Sequence, residues 1–166
     1  MLIFEEQLLA DIPDAFQGME QDKIEMMYPY EERPQIILED GQRGRFCTFS
    51  LLEGQGLSDE QAGYAARVMG KVVTGLYPSC LLEEPQTMDV EGGTCGWFSF
   101  KSPGTEGEIW NVMYVFPVNG NMMLGTLGCL AEDEAGKEQM MEIMGSLKAL
   151  KKKSPWNISG IGGRIL

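Results

Sequence analysis

Carboxylates are the commonest chemically able groups in this chain, and several stand side by side: Glu31-Glu32, Glu83-Glu84 and Glu132-Asp133-Glu134. Adjacent carboxylates can divide acid and base work or hold a hard cation such as calcium. Neither use fits these runs, because none has calcium-loop spacing and none sits in an apolar setting that would raise a pKa. They read as a solvated acidic surface. The four cysteines, Cys47, Cys80, Cys95 and Cys129, show no C-x-x-C spacing, and three fall in strand-like stretches. Buried free thiols are the reading preferred over disulfides or zinc ligands. The chain contains no histidine. That single absence removes the Ser-His-Asp and Cys-His arrangements and nearly all catalytic zinc sites. Gly54-Gln55-Gly56-Leu57-Ser58-Asp59 is the nearest approach to a phosphate loop, but it lacks the third glycine of the dinucleotide fingerprint, and Asp59 and Glu60 would oppose an anion. A strand-to-helix turn explains the glycines better. Asn157-Ile158-Ser159 matches a glycosylation sequon without a secretory signal before it, so no modification is expected.

Apolar chemistry is the richer signal. Twelve methionines are present, clustered as Met26-Met27, Met122-Met123 and Met140-Met141 with Met144. Methionine fills irregular core gaps, and the same adaptability suits surfaces that accept varied apolar peptides. Both uses remain open for these residues. In a strand the two members of Met122-Met123 point to opposite faces, so at most one can serve a single groove. Trp97, Ser99 and Lys101 alternate with Phe98 and Phe100, which puts Trp97 on the less apolar face of its strand. A tryptophan there can meet a partner or lie beneath a helix. The possible partner-binding set is Trp97, Lys101, Met122, Met123, Met140, Met144 and Trp156. No catalytic, cofactor-binding or metal residue is assigned, and no cofactor is expected.

At 166 residues the chain suits one domain that buries roughly two-thirds of its unfolded surface. Its net charge of −12 disfavours nucleic acid and anionic lipid as partners. The opening residues lack a basic n-region, and no apolar run approaches the length needed to span a bilayer. A cytoplasmic protein, monomeric or weakly dimeric, is expected.

The elements that must position these residues centre on Gly92 to Leu130, which reads as a three-strand antiparallel meander. Asn119-Gly120 tolerates the positive φ values of a two-residue type I′ turn. That turn fixes the register: Val118 faces Asn121, Phe116 faces Met123, Tyr114 faces Gly125, Val112 faces Leu127 and Trp110 faces Cys129. Both faces of this hairpin are largely apolar, so helices are expected on both. Leu2-Ile3-Phe4 could begin a strand, and Ile12 to Phe16 reads as an edge segment and turn. Met19 to Met27 reads as one or two helical turns, and Gln35–Glu39 with Arg45–Leu52 as a second hairpin. Ser58 and Gln61 form a capping box for the clearest helix, whose stripe is Ala62, Ala65, Ala66, Met69, Val72, Val73 and Leu76. Its glycines, Gly63, Gly70 and Gly75, suggest close approach to the sheet. A second long helix begins at Glu132-Asp133-Glu134, buries Met140, Ile143, Met144 and Leu147, and has Lys148 and Lys151 to Lys153 at its end. Residues 151–166, including Trp156, Ile158, Ile161, Ile165 and Leu166, read as a loosely held C-terminal tail that could plug an apolar surface or engage a partner.

This order of elements resembles the PsbP-like and Ran-release-factor (Mog-type) fold. Ile12-Pro13-Asp14-Ala15-Phe16 is similar to the opening segment of that family, and Trp97–Ser102 with Leu124–Cys129 to strands of small bacterial members. The resemblance covers roughly residues 1 to 150, taken as a single domain. It implies an α+β fold, an α-β-α sandwich around an antiparallel sheet of about six strands with helices on both faces. It also implies a noncatalytic protein-binding, adaptor or chaperone-like module with a protein or peptide partner. The alternatives are a binder of a small apolar ligand or metal, and a carboxylate-based enzyme.

Overall fold

The computed structural model describes residues 1–151. Its centre is the turn at Asn119 and Gly120, whose φ values are 51° and 81°. A type I′ turn requires both of its central residues there, and its twist matches that of the flanking strands. The turn joins β8 (Ile109–Val118) to β9 (Asn121–Leu130) in the expected register, with Tyr114 opposite Gly125 and Val112 opposite Leu127. β7 (Gly93–Ser102) completes the meander, and β6 (Gln86–Val90) adds an outer strand. On the other side β9 pairs with β5 (Arg45–Gly56), then β4 (Ile36–Asp40) and the two-residue β3 (Gln17–Gly18). The result is a seven-stranded antiparallel sheet of order β3-β4-β5-β9-β8-β7-β6.

A second sheet of three short strands, β1 (Leu2–Ile3), β2 (Leu8–Leu9) and β10 (Lys148–Ala149), ties the two ends of the described chain together. The residues joining β1 to β2, Phe4, Glu5 and Glu6, have φ of 54°, 54° and 65°, a left-handed turn built without glycine. The helices are α1 (Gln21–Met27), α2 (Ala62–Leu76) and α3 (Glu134–Gly145).

Alternation along the strands gives the sheet two apolar faces. Val112, Tyr114, Phe116, Met123 and Leu127 point to the side covered by α3 and the small sheet, where Ile3, Leu8, Met140 and Ile143 meet them. Phe98, Val115 and Met122 point to the opposite side, where Ala66 and Val73 of α2 meet them. The α-β-α sandwich is therefore formed, with each long helix on its own face.

Several local expectations are corrected. The expected sheet of about six strands is present with seven, the two-residue β3 extending the β4 edge, but other details differ. Ile12 to Phe16 is not a strand: the Phe16 N–H donates to the Pro13 carbonyl at 3.0 Å, closing a turn, and the edge strand begins at Gln17. Gly54-Gln55-Gly56 belongs to β5, where Leu52 pairs with Met122 and Gly56 with Asn121, so the intervening residues bulge out. Gly54 has φ of 86°, which the bulge requires. The Ser58–Gln61 capping box is present, but it opens a turn of 3-10 helix at Asp59–Gln61 before α2. Lys148 does not complement the α3 dipole; it lies in β10 and its ammonium meets Glu91 at 2.9 Å. The close approach at α2 is made chiefly by the sheet, because a Cβ on Gly96 would stand 2.0 Å from the Ala62 carbonyl oxygen.

Candidate functional site

The α3 side of the sheet is closed, and the α2 side is not. α2 lies over β6, β7 and β8, with buried Ala62, Ala66, Gly70 and Val73. A Cβ on Gly63 would touch Thr87 of β6 at 3.1 Å and one on Gly70 would touch Leu82 at 3.3 Å, so that flank of the helix faces the β6 edge. At 3.6 residues per turn, Ala65, Met69, Val72 and Leu76 occupy the opposite flank, which looks across β8 towards β9 and β5. Met69 and Ala65 are half-buried there beside Leu52, Met113 and Leu124, whereas Val68, Val72 and Leu76 are 39%, 47% and 68% exposed.

Across the sheet, α1 borders the same face. The Met19 N–H donates to the Ile37 carbonyl at 3.1 Å, and the Lys23 ammonium meets Glu39 at 2.7 Å. On this face, between the strands under α2 and those bordered by α1, Leu52, Met113, Leu124 and Thr126 are half-buried; we term this strip the shelf. At its α1 end it meets a cavity of about 210 Å³ lined by Met19, Met27, Phe46, Ile109 and Leu130, with Lys23 and Arg45 at its rim. The Thr48 and Thr126 hydroxyls bond each other at 2.6 Å, which satisfies the polar groups on the floor. What the shelf offers a partner is apolar surface.

The titratable groups are arranged for structure. Burial pushes the Cys47 and Cys95 thiols up to about 12 and Cys129 up to about 11, which keeps all three protonated at neutral pH. Burial also raises Tyr114, whose hydroxyl, like Trp97 Nε1, is enclosed without a hydrogen-bond partner. Asp133 caps α3 by accepting from the Gly136 N–H at 2.9 Å, and Arg45 grips the same carboxylate at 2.7 and 3.0 Å. Among the described residues, no group of three or more His, Cys, Asp or Glu could hold a metal ion. Glu31-Glu32 and Glu83-Glu84 are exposed.

The residues singled out from sequence do not form one surface: four of them, Trp97, Met123, Met140 and Met144, meet in the α3-side core. Met123, Met140 and Met144 are fully buried on the α3 side, where they fill the core. Met122 is buried on the α2 side beneath the shelf. Trp97 packs against the α3-side core, so its ring lies on the apolar interior, and Lys101 is exposed on the same side of β7. Trp156 lies outside the described residues. Sequence reasoning missed the exposed flank of α2, because it assigned Val72 and Leu76 to the buried stripe. The available signal was width: from Val68 round to Gly70 the apolar arc spans more of the helix than contact with one sheet needs.

No family model and no curated protein sequence matches the chain. Among solved structures it is similar to a protein from Bacteroides thetaiotaomicron, with a TM-score of 0.62 and 8% identity over 93% of this chain. The chain spans only 50% of that protein's length. It is equally similar to cyanobacterial PsbP from Synechocystis, with a TM-score of 0.62 and 10% identity, covering 90% of this chain and 91% of that one. Sheet order, the placement of a helix on each face and this end-to-end likeness agree: the chain has the PsbP-like, Mog-type fold.

Proposed function

We propose that this chain is a noncatalytic binding module, adaptor or chaperone-like, which holds an apolar segment of a protein partner on the shelf between α1 and α2. The observation that carries the reading is the exposed flank of α2. Val72 and Leu76 lie exposed on the same flank of α2 as Ala65 and Met69, which pack with half-buried Leu52, Met113 and Leu124 against the α2-side cluster, and exposed apolar surface of this kind marks a contact surface. Met122 and Met113 beneath it let the floor adjust to side chains of different shape. The absence of histidine and the protonated state of the buried thiols leave the site without a nucleophile or a general base of ordinary kind. The adjoining cavity of about 210 Å³ is below the range of about 300–1,000 Å³ typical of small-molecule sites, which favours a peptide segment over a carried ligand. Unpaired cysteines support a reducing, cytoplasmic setting. No helix among the described residues is long and apolar enough to cross a membrane.

The test is a titration with fluorescently labelled apolar peptides, comparing the natural chain with Val72→Glu and Tyr64→Glu. Both positions are exposed on α2, but Tyr64 faces away from the shelf. Binding should weaken at least tenfold for Val72→Glu, since burying one unpaired carboxylate costs more than about 1.4 kcal/mol. Tyr64→Glu should bind normally. Equal binding by all three proteins removes the shelf from consideration.

A further inference from the structure

We infer that the shelf's resident occupant is the chain's own C-terminal segment, residues 152–166, which a partner must displace. This rests on the reading of the shelf as a peptide site and adds its regulation. Lys151, the last described residue, lines a cavity of about 400 Å³ with Leu57, Ser58, Asp59, Glu60, Pro117 and Gly120. That is the end of the shelf at which α2 begins. Leu57 belongs to the α2-side cluster, and its N–H donates to the Gly120 carbonyl at 3.0 Å, so this cavity adjoins the apolar floor directly.

Length and composition both suit the route. Fifteen residues follow Lys151, and extended they reach about 50 Å, whereas a ten-residue strand such as β9 is about 34 Å long. The segment can therefore lie along the whole shelf. It contains Trp156, Ile158, Ile161, Ile165 and Leu166, and in an extended chain Trp156 and Ile158 share a side. Gly160, Gly162 and Gly163 allow its backbone to approach a flat floor closely. Charge agrees as well: Lys151 lines that cavity with Asp59 and Glu60, and Lys152 and Lys153 follow it in sequence, in a chain whose net charge is −12. Apolar side chains in the tail and apolar surface on the shelf thus begin at the same point of the fold, and docking one on the other removes both from water.

The inference is tested in the full chain with a nitroxide placed on the tail. Ile158→Cys in a Cys80→Ser background leaves one reactive thiol, because Cys47, Cys95 and Cys129 are buried with raised pKa values. Methyl resonances of Met69, Val72, Leu52 and Leu124 should broaden, while those of Ile143 and Met144 on the α3 side should not. A doubly substituted tail, Trp156→Asp with Ile158→Asp, should bind the labelled peptides about tenfold more tightly than the natural chain, because the competing occupant is gone. Absence of broadening on the shelf, or broadening seen only between spin-labelled and isotope-labelled molecules, overturns the inference. The peptide titration stands apart from this outcome: a shelf that binds peptides with unchanged affinity after tail substitution retains its function and loses only its internal occupant.

Discussion

The two faces of the large sheet are made from the same strands and behave as different materials. On the α3 side, Tyr114, Phe116, Met123, Leu127, Met140 and Ile143 are at most 1% exposed. There the helix, the small sheet and the strands interlock, and Arg45 bonds the Asp133 cap that starts α3. On the α2 side the cover is less complete: Leu52, Met113, Leu124 and Thr126 are half-buried, although Ile37, Thr48 and Met122 on the same face are buried. Opposite faces of one strand thus divide the labour of stability and exposure, and neighbouring residues such as Met123 and Leu124 belong to different regimes. The lesson is that a core residue and a binding residue can share composition and differ only in what packs above them.

The comparison breaks most sharply with one residue type on both faces. Leu127 is fully buried on the α3 side, and Leu124 is half-buried on the shelf. Leu127→Ala should lose about 3–4 kcal/mol through transfer and cavity costs, whereas Leu124→Ala should lose about 1 kcal/mol, as the part-exposed site has less apolar area to forfeit. Denaturant midpoints measure both, and equal losses would mean that the shelf is closed in solution.

Glycines sharpen the same contrast at a smaller scale. An added Cβ on Gly125 would stand 2.1 Å from the Tyr114 ring, and one on Gly128 would stand 2.3 Å from the ring of Phe46. Tyr114 has nowhere to go, while Phe46 is half-buried at the edge of the shelf cavity. Gly125→Val should therefore cost about 1–3 kcal/mol by overpacking. Gly128→Ala should cost clearly less, because Phe46 can swing outwards; a loss as large as that at Gly125 would show that the ring is fixed.

The smallest expected effect concerns the ion pairs of the two sides. Arg45 holds the Asp133 carboxyl below its ordinary value, chiefly by hydrogen bonding, with the Gly136 N–H and the attraction of Arg45 adding to it against partial burial. A depressed folded value stabilises the protein above the unfolded pKa, and the benefit is lost as pH falls through the folded value. Asp133→Asn should therefore be less stable than the natural chain above about pH 4, with the difference closing below it. On the shelf side, Lys23 is 44% exposed in its pair with Glu39, and Lys23→Ala should change stability by less than about 0.5 kcal/mol. A gap for Asp133→Asn that is independent of pH would assign its effect to capping geometry alone.

Much of this contrast was readable in the chain before folding, and its decisive part was not. Asn119-Gly120 specified the hairpin register because its turn is local and side-chain alternation carries the register outwards without further information. Ser58 with Gln61, and Asp133 before Glu134, marked the two helix starts for the same reason, since capping groups act within one turn. The buried stripe of α3 was legible in Met140, Ile143 and Met144, all at most 1% exposed, and Leu147, equally buried, lies just past its end. Leu2-Ile3 was expected as a strand, but its partners β2 and β10, and β3, were obscure, because two-residue strands carry no periodicity and form only where a distant partner presents a free edge.

Sequence by itself determined the alternation of the strands, the helix caps and the presence of two apolar faces, all of which depend on neighbours a few residues apart. Tertiary structure alone decided which apolar residues stay at the surface. Gly96 admits the Ala62 backbone so closely that α2 seats over β6 to β8, and Gly70 turns its buried flank towards Leu82. Val72 and Leu76 are exposed because the helix is seated there rather than over β9, and that choice is set by backbone contact between residues far apart in the chain, which no local pattern encodes.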